Sequence, residues 1–247
     1  MKQVLVTGCN GPVGQAICEE LFQDGWSVIG SDVHKQASSR LSEVIQDFIS
    51  ADLTSRVDLD DLIRKCRLLP NLKGIVNNAA YTPEANSLDY AVALPLQSIE
   101  SFDRALKVNL VAPFYLIKGL AESLSIHIDS AIVNITSTYG LVAPQPSIYE
   151  NVEFFNSAGY AASKGGLHQL TKYFSSIIAP IRVNSVAPGG IERNHPKDFV
   201  DRYSRLTPLG RMNTEVEVAC AVRFLLSKNA SYITGQSLAV DGGWTAW

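Results

Sequence analysis

Short apolar segments alternate with longer amphipathic segments along the chain, and this alternation constrains the fold more than any other feature. The segments with the length and apolar content of buried strands are residues 3–6, 27–30, 48–50, 74–76, 131–135, 182–186 and 237–240. The helix-length segments are residues 13–23, 39–46, 56–67, 99–124, 158–178 and 214–226. Strands that alternate with helices form right-handed βαβ units and a parallel sheet. The sequence therefore predicts an α/β fold, with helices on both faces of a parallel sheet of about seven strands.

The composition indicates one globular domain and argues against several function classes. The chain has 247 residues without a linker or internal repeat, so we expect a single domain over residues 1–247. The formal net charge is −3 and no basic cluster is present, which argues against nucleic-acid binding. No apolar run approaches the roughly 20 residues of a membrane span, and no signal-peptide pattern is present. The sequence thus predicts a soluble, cytoplasmic protein.

The cysteines give no sign of a metal site. Cys9, Cys18, Cys66 and Cys220 are scattered, without a CxxC pair or a histidine at ligand spacing. We therefore predict small buried thiols in a reducing compartment and no bound metal.

A glycine-rich turn, TGCNGPVG over residues 7–14, follows the first predicted strand and precedes a helix. Glycines at 8, 11 and 14 allow a tight turn and a close approach of the backbone to phosphate, which the helix N-terminus also attracts. With the strand–helix alternation, the turn predicts a single-domain Rossmann fold with a doubly wound parallel sheet that binds a dinucleotide. A plain strand-to-helix turn remains the alternative.

Asp32 indicates which dinucleotide the chain prefers. It follows Gly14 by 18 residues and ends the second predicted strand. A carboxylate there can accept hydrogen bonds from the adenosine ribose and would repel a 2′-phosphate, so NAD is favoured over NADP. His34 and Lys35 follow closely and could weaken this preference. A simple loop cap is the alternative role for Asp32.

Tyr160 and Lys164 form a candidate acid–base pair. They are four residues apart at the start of a predicted helix, so they share one helix face. A neighbouring ammonium lowers the pKa of a phenol and makes it a better proton carrier. No other tyrosine of the chain has a lysine four residues later, and Tyr149 has Glu153 there instead.

These motifs together resemble the short-chain dehydrogenase/reductase family over essentially the whole chain. They occur in the family's order and comprise the glycine turn, Asn77-Asn78-Ala79-Ala80, Asn109, Ser137, Tyr160 with Lys164, Pro188-Gly189, and the tail segments 232–236 and 240–243. The resemblance implies an NAD(P)-dependent oxidoreductase that interconverts a secondary alcohol and a ketone by hydride transfer.

The resemblance also implies the role of each site residue. Tyr160 would be the general acid/base, and Lys164 would lower its pKa and hold the nicotinamide ribose. Ser137 would hydrogen-bond the reacting oxygen, and Asn109 would position a water that links Lys164 to solvent. The implied cofactor-binding residues are Gly8, Asn10, Gly11, Val13, Gly14, Asp32, Asp52, Leu53, Asn78, Ala79, Ala80, Tyr160, Lys164, Pro188, Gly189 and Ile191.

The chain departs from the family pattern at several places. Pro12 and Ala80 stand where glycine is usual, and Arg193 stands where a threonine often contacts the carboxamide. Residues 82–98 and 143–157 interrupt the strand–helix alternation. The second stretch contains an insertion, 147–157, that is similar to members of bacterial surface-sugar pathways, including nonulosonic acid biosynthesis. Tyr149, Glu150, Asn151 and Glu153 are its candidate hydrogen-bonding residues for a polyhydroxylated substrate.

The segment 191–212 is predicted to be a mobile cover over the substrate. Its cationic residues, namely Arg193, His195, Lys197, Arg202, Arg205 and Arg211, favour an anionic sugar derivative, with a solvated loop as the alternative. Helices 99–124 and 158–178 carry surplus apolar surface, and the family pairs such helices across subunits. We therefore expect a homodimer or homotetramer, with Trp244 and Trp247 packed against a neighbour.

Two other functions remain open at this stage. One is a cofactor-sensing binding protein that performs no chemistry, which has no need of the Tyr160 and Lys164 pair. The other is a sugar-nucleotide epimerase or dehydratase with bound NAD, which differs from a dehydrogenase in producing no net NADH.

Overall fold

The computed structural model describes residues 1–81 and 89–247. Part of the irregular stretch 82–98, namely residues 82–88, lies outside the described residues. In the described part of the chain, no helix has both the length and the apolar character needed to span a bilayer.

A parallel sheet forms the centre of the molecule. Its strands, in chain order, are β1 (Gln3–Thr7), β2 (Ser27–Asp32), β3 (Ile45–Ser50), β4 (Leu72–Asn77), β5 (Ala131–Ile135), β6 (Arg182–Pro188) and β7 (Ser237–Val240). In space their order is β3-β2-β1-β4-β5-β6-β7. The order reverses between β1 and β4, and such a switch point opens a ligand crevice at the carboxyl ends of the strands.

Helices cover both faces of this sheet. They are α1 (Pro12–Gln23), α2 (Arg56–Arg67), α3 (Ile99–Leu106), α4 (Ala112–Ser125), α5 (Ala158–Ile177), α6 (Lys197–Arg205) and α7 (Glu215–Leu226). On one face, Ile17 of α1 and Val222 of α7 pack against Val4. On the other face, Leu62 of α2 and Leu116 of α4 belong to the cluster built on the next strand residue, Leu5. The predicted doubly wound α/β fold is confirmed.

One predicted helix was wrong, and another is helical over its predicted span but irregular in the middle. The helix expected over 39–46 is only a 3₁₀ turn, Ser39–Leu41, and β3 begins at Ile45. Pairing with β2 overrides the local helical pattern here, because Val28 lies opposite Ile45. The long helix expected over 99–124 is interrupted by a π-helical turn, Lys107–Val111. Pro113, four residues after Asn109, has no N–H to donate to the Asn109 carbonyl.

A small aromatic core lies beneath the segment that follows β6. Trp244 is buried and stacks on Tyr203 of α6, with ring centroids 4.3 Å apart. Tyr149 of the insertion packs against Phe199 of α6 at 5.8 Å. Trp244 therefore packs within its own chain rather than against a neighbour, whereas Trp247 is exposed. The insertion and α6 support each other through this core.

Candidate active site

A single cleft of about 1860 Å³ runs along the carboxyl ends of the strands. Every residue that the sequence assigned to cofactor binding lines it, from Gly8 to Ile191. Ser137, Tyr160 and Lys164 also line it, whereas the fourth predicted catalytic residue, Asn109, is fully buried behind the wall. In the described part of the chain, no group of three or more His, Cys, Asp or Glu residues is placed to hold a metal ion.

The glycine turn leaves room for a ligand at the N-terminus of α1. Gly8 has a φ of +64°, and a Cβ there would lie 2.6 Å from the Ala79 Cα. A Cβ on Gly14 would overlap the Gly8 carbonyl oxygen. A Cβ on Gly11 meets only that oxygen, at 3.5 Å, and otherwise points into open space. The turn thus fits the pyrophosphate of a dinucleotide, which the free N–H groups of α1 would bind.

Side chains tie the glycine turn to the end of β4. Asn78 donates from Nδ2 to the carbonyl oxygens of Thr7 and Gly8, each at 3.0 Å. The Thr7 hydroxyl accepts hydrogen bonds from the backbone N–H groups of Asn78 and Ala79, each at 3.2 Å. Asn78 therefore shapes the cleft by bonding to the turn. Deeper in the same wall, the Ser31 hydroxyl is buried without a hydrogen-bond partner among the described residues.

The carboxylate of Asp32 is already engaged by the protein. Its Oδ2 accepts the backbone N–H of Asn10 at 3.0 Å. Its Oδ1 lies 2.6 Å from Nδ1 of His34 and accepts the His34 backbone N–H at 3.3 Å. The sequence placed this carboxylate at the adenosine ribose, and the structure adds a histidine side chain beside it.

Lys164 lies in the interior with its ammonium at the cleft wall. Its Nζ donates a 2.7 Å hydrogen bond to the carbonyl oxygen of Ile135 and lies 5.6 Å from the ring centroid of Tyr160. Helix α5 fixes this spacing, and Ser157 caps its N-terminus by accepting the N–H of Tyr160. Burial lowers the pKa of Lys164 to about 8, because desolvation disfavours the charged form.

The pKa of the Tyr160 phenol is raised, not lowered. Burial is the largest cause, and interaction with the Ser137 side chain and the positive charge of Arg193 offsets it only in part. The sequence predicted a lowered pKa from Lys164 alone. That expectation left out desolvation, which penalises the phenolate in the same buried wall that holds the ammonium.

The side chains of Ser137 and Asn109 both form hydrogen bonds with other groups of the protein. Ser137 Oγ accepts the N–H of Tyr139 at 3.2 Å. Ser137 lines the cleft at the turn that follows β5. Asn109 Nδ2 donates to Ser163 Oγ at 3.0 Å, and its Oδ1 accepts the N–H of Tyr81 at 2.7 Å. The Asn109 side chain is thus engaged by the protein, and its part in a water relay stays a prediction.

The remaining part of the cleft has an aromatic and mixed-charge lining. It is formed by Tyr81, Tyr90, Ala91, Val92, Tyr139, Glu153, Phe154, Asn156, Arg193 and His195. Among the insertion residues proposed to bind a substrate, Glu153 lines this region. Tyr149 is instead bonded through its hydroxyl to the Tyr139 hydroxyl at 2.7 Å, and Glu150 accepts Arg202 on its backbone carbonyl.

Sequence reasoning missed several of these lining residues. Tyr81 follows the Asn77–Ala80 motif directly, so its position was a usable signal. Arg104 and Lys107 also line the cleft, from α3 and the π-helical turn. The sequence predicted one regular helix here and so gave no reason to assign these two residues to the cleft. The π-helical turn changes the direction of side chains around it, and a regular helical periodicity does not show that change.

Comparison with known proteins gives consistent similarities. A family model described as enoyl-(acyl carrier protein) reductase matches residues 10–245. Cyclohexanol dehydrogenase from Acinetobacter sp. (strain SE19) is 31% identical over 255 residues, covering 99% of this chain and 95% of that protein. A short chain dehydrogenase from Leptospira borgpetersenii serovar Hardjo-bovis, solved with bound NAD⁺, has a TM-score of 0.86 at 30% identity, covering 99% of this chain and 92% of that one.

A second solved structure is similar over the whole chain. It is the ligand-free aldohexose dehydrogenase of Thermoplasma acidophilum, with a TM-score of 0.82 at 27% identity, covering 100% of this chain and 94% of that one. These similarities do not bear on the resemblance to nonulosonic acid pathways, which stays a prediction.

The open space beside Gly11 generates a testable prediction. Gly11→Ala should leave the free energy of urea-induced unfolding within about 0.5 kcal/mol of wild type, because the added methyl meets no crowded neighbour. Its affinity for NAD⁺, measured by calorimetry, should fall at least about tenfold, because the methyl occupies the path of the pyrophosphate. Gly14→Ala is the matched contrast and should lose stability as well. Unchanged NAD⁺ affinity in Gly11→Ala would contradict the assignment of this turn.

Proposed function

Because the chain belongs to the short-chain dehydrogenase/reductase family and is thus an NAD(P)-dependent oxidoreductase, we propose that it interconverts a secondary alcohol and a ketone. The observation that carries the proposal is the inner face of α5. There the Tyr160 phenol and the Lys164 ammonium lie one helical turn apart in the wall of the cleft.

The proposed mechanism divides the work between cofactor and protein. The bound nicotinamide supplies the hydride acceptor or donor, so the protein must orient the substrate and move a proton. The Tyr160 oxygen takes the hydroxyl proton during alcohol oxidation and returns it to the ketone oxygen during reduction. Ser137 Oγ donates a hydrogen bond to the same substrate oxygen. The Lys164 ammonium, 5.6 Å from the Tyr160 ring centroid, would stabilise the phenolate by its positive charge.

We propose NAD as the preferred cofactor at neutral pH. The support is Asp32, whose carboxylate ends β2 in the wall of the cleft and would repel a 2′-phosphate. The bound NAD⁺ in the Leptospira borgpetersenii structure agrees with this choice.

We propose an acidic, hydroxylated substrate, such as an acidic sugar derivative. Arg193 carries the argument, because it lines the cleft and its charge reaches the Tyr160 phenol, while its Nε also pairs with Glu215 at 3.0 Å. Lys197 and Arg211 do not line the cleft and are paired with Asp201 and Glu217, so they do not serve this purpose. The aromatic rings of the cleft suit the apolar face of a sugar ring, and the similar Thermoplasma acidophilum protein is named for aldohexoses.

We also propose a homodimer or homotetramer that forms through α4 and α5. Between these helices lies an apolar hollow of about 430 Å³ that includes the exposed side chains of Val111, Phe114 and Tyr173.

Phe114→Glu should shift the sedimentation coefficient at micromolar concentration toward that of a monomer, because it places a charge in the interface. Ile126→Glu, exposed outside the hollow, is the control. A monomeric wild-type protein would overturn the proposal.

A substrate panel tests the proposed activity. Neutral sugars, the corresponding sugar acids and cyclohexanol are incubated with NAD⁺ while NADH absorbance is recorded. We expect the highest kcat/KM for an acid, with an advantage that shrinks as salt concentration rises. Equal kcat/KM for neutral and acidic members contradicts the acidic substrate. Substrate conversion without net NADH supports an epimerase or dehydratase, and NAD⁺ binding without any conversion supports a sensor.

The Tyr160→Phe variant completes this experiment. Turnover should fall about 10³-fold, because the proton carrier is lost while the ring is kept. NAD⁺ affinity should stay within about twofold, which separates proton transfer from cofactor binding. Tyr232→Phe, at a fully exposed ring outside the cleft and the hollow, is the matched control and should keep wild-type turnover. Undiminished turnover in Tyr160→Phe would refute the proposed role.

A further inference from the structure

The pair formed by Asp32 and His34 is not used by the mechanism above. The Asp32 carboxylate is nearly buried, and the protein supplies three hydrogen bonds to it from Asn10 and His34. The His34 ring is 70% exposed and lines the cleft, whereas the neighbouring Lys35 does not line it. An imidazole thus stands between the carboxylate and the space in front of it.

The loop that carries His34 is fixed to the glycine turn. Asn10 accepts the Ser38 N–H on Oδ1 at 2.8 Å and donates from Nδ2 to the Gln36 carbonyl at 3.0 Å. Gln15 of α1 adds a bond to the Asn10 carbonyl oxygen at 2.8 Å. The imidazole is therefore presented at a defined place relative to the proposed pyrophosphate site.

The protonation state of His34 determines the net charge that a ligand meets at this end of the cleft. A neutral imidazole leaves the net negative charge of Asp32 in place. An imidazolium cancels that charge, and both of its ring nitrogens then donate hydrogen bonds. The other charged side chains that line the cleft are Asp52, Arg104, Lys107, Glu153, Lys164 and Arg193. Lys35 lies beside His34 on the same loop.

We propose that His34 makes the choice between NAD and NADP depend on pH. In its neutral form it leaves the negative charge of Asp32 uncompensated, so that charge repels a 2′-phosphate. In its protonated form it neutralises Asp32 and donates to that phosphate. Binding of NADP therefore takes up a proton at His34, and lower pH brings NADP affinity closer to NAD affinity. This inference rests on the proposed dinucleotide site.

The test measures binding of NAD⁺ and NADP⁺ to the full chain by calorimetry at about pH 8 and about pH 6. We expect the ratio of the Kd for NADP⁺ to the Kd for NAD⁺ to fall about tenfold over this interval. Repeating the titration in buffers of different ionisation enthalpy should reveal proton uptake with NADP⁺ and less with NAD⁺.

Two variants separate His34 from other sources of pH dependence. His34→Gln keeps a polar side chain without a titratable charge, so the remaining pH response reports the 2′-phosphate itself, which titrates near pH 6. We expect this response to be small and the NADP⁺ affinity to stay low at both pH values. Lys35→Gln removes an exposed charge from the same loop and should behave as wild type.

The outcomes distinguish this inference from the proposed function. If both nucleotides bind but the ratio does not change with pH, or if His34→Gln responds as wild type does, the inference is overturned and the proposed function stands. If neither nucleotide binds, both are overturned. Thermal unfolding of His34→Gln, whose ring is mostly exposed, should match wild type and excludes misfolding as the cause.

Discussion

The buried ammonium of Lys164 is the interaction on which the rest of the site depends. A lysine in a protein interior is costly, since its charge loses water and gains few partners. Here the side chain is 2% exposed, and its Nζ donates a hydrogen bond to the Ile135 carbonyl at the end of β5. The fold therefore keeps a destabilising charge at the one edge of the sheet where the cleft opens.

A buried polar network keeps this edge in register. Asn77 of β4 donates to Asn134 of β5 at 2.8 Å, and Asn134 donates to the Thr171 hydroxyl of α5 at 2.9 Å. These side chains are fully or almost fully buried, so each bond would be costly to lose. The network couples two strands to the helix that carries Tyr160 and Lys164. The positions of the proton-transferring groups thus follow from core packing rather than from a flexible loop.

The sequence predicted the layers of the fold because periodicity acts locally, and the family resemblance implied the residues of the cleft. The alternation of segments was enough for a parallel sheet, and the order of motifs was enough for the site lining. Strand pairing overrode the helical pattern of residues 39–46. The sequence of that segment alone does not show that it pairs with β2, so the prediction missed it. The pair of Asp32 with His34 and the raised pKa of Tyr160 depend on side-chain direction and burial, which spacing does not encode.

The most direct test of this account is the stability of the cofactor-free Lys164→Met variant, measured by urea unfolding, with Lys172→Met on the exposed side of α5 as control. The lysine pKa is about 8 in the fold and 10.5 as its ordinary value, so the charge opposes folding at neutral pH. Lys164→Met should be more stable than wild type by roughly 1 to 3 kcal/mol at pH 7. This advantage should shrink between pH 8 and pH 10.5 as the folded wild type loses its proton, while NAD⁺-dependent turnover is lost at every pH. A variant that is less stable than wild type at pH 7, or that keeps turnover, would contradict the account.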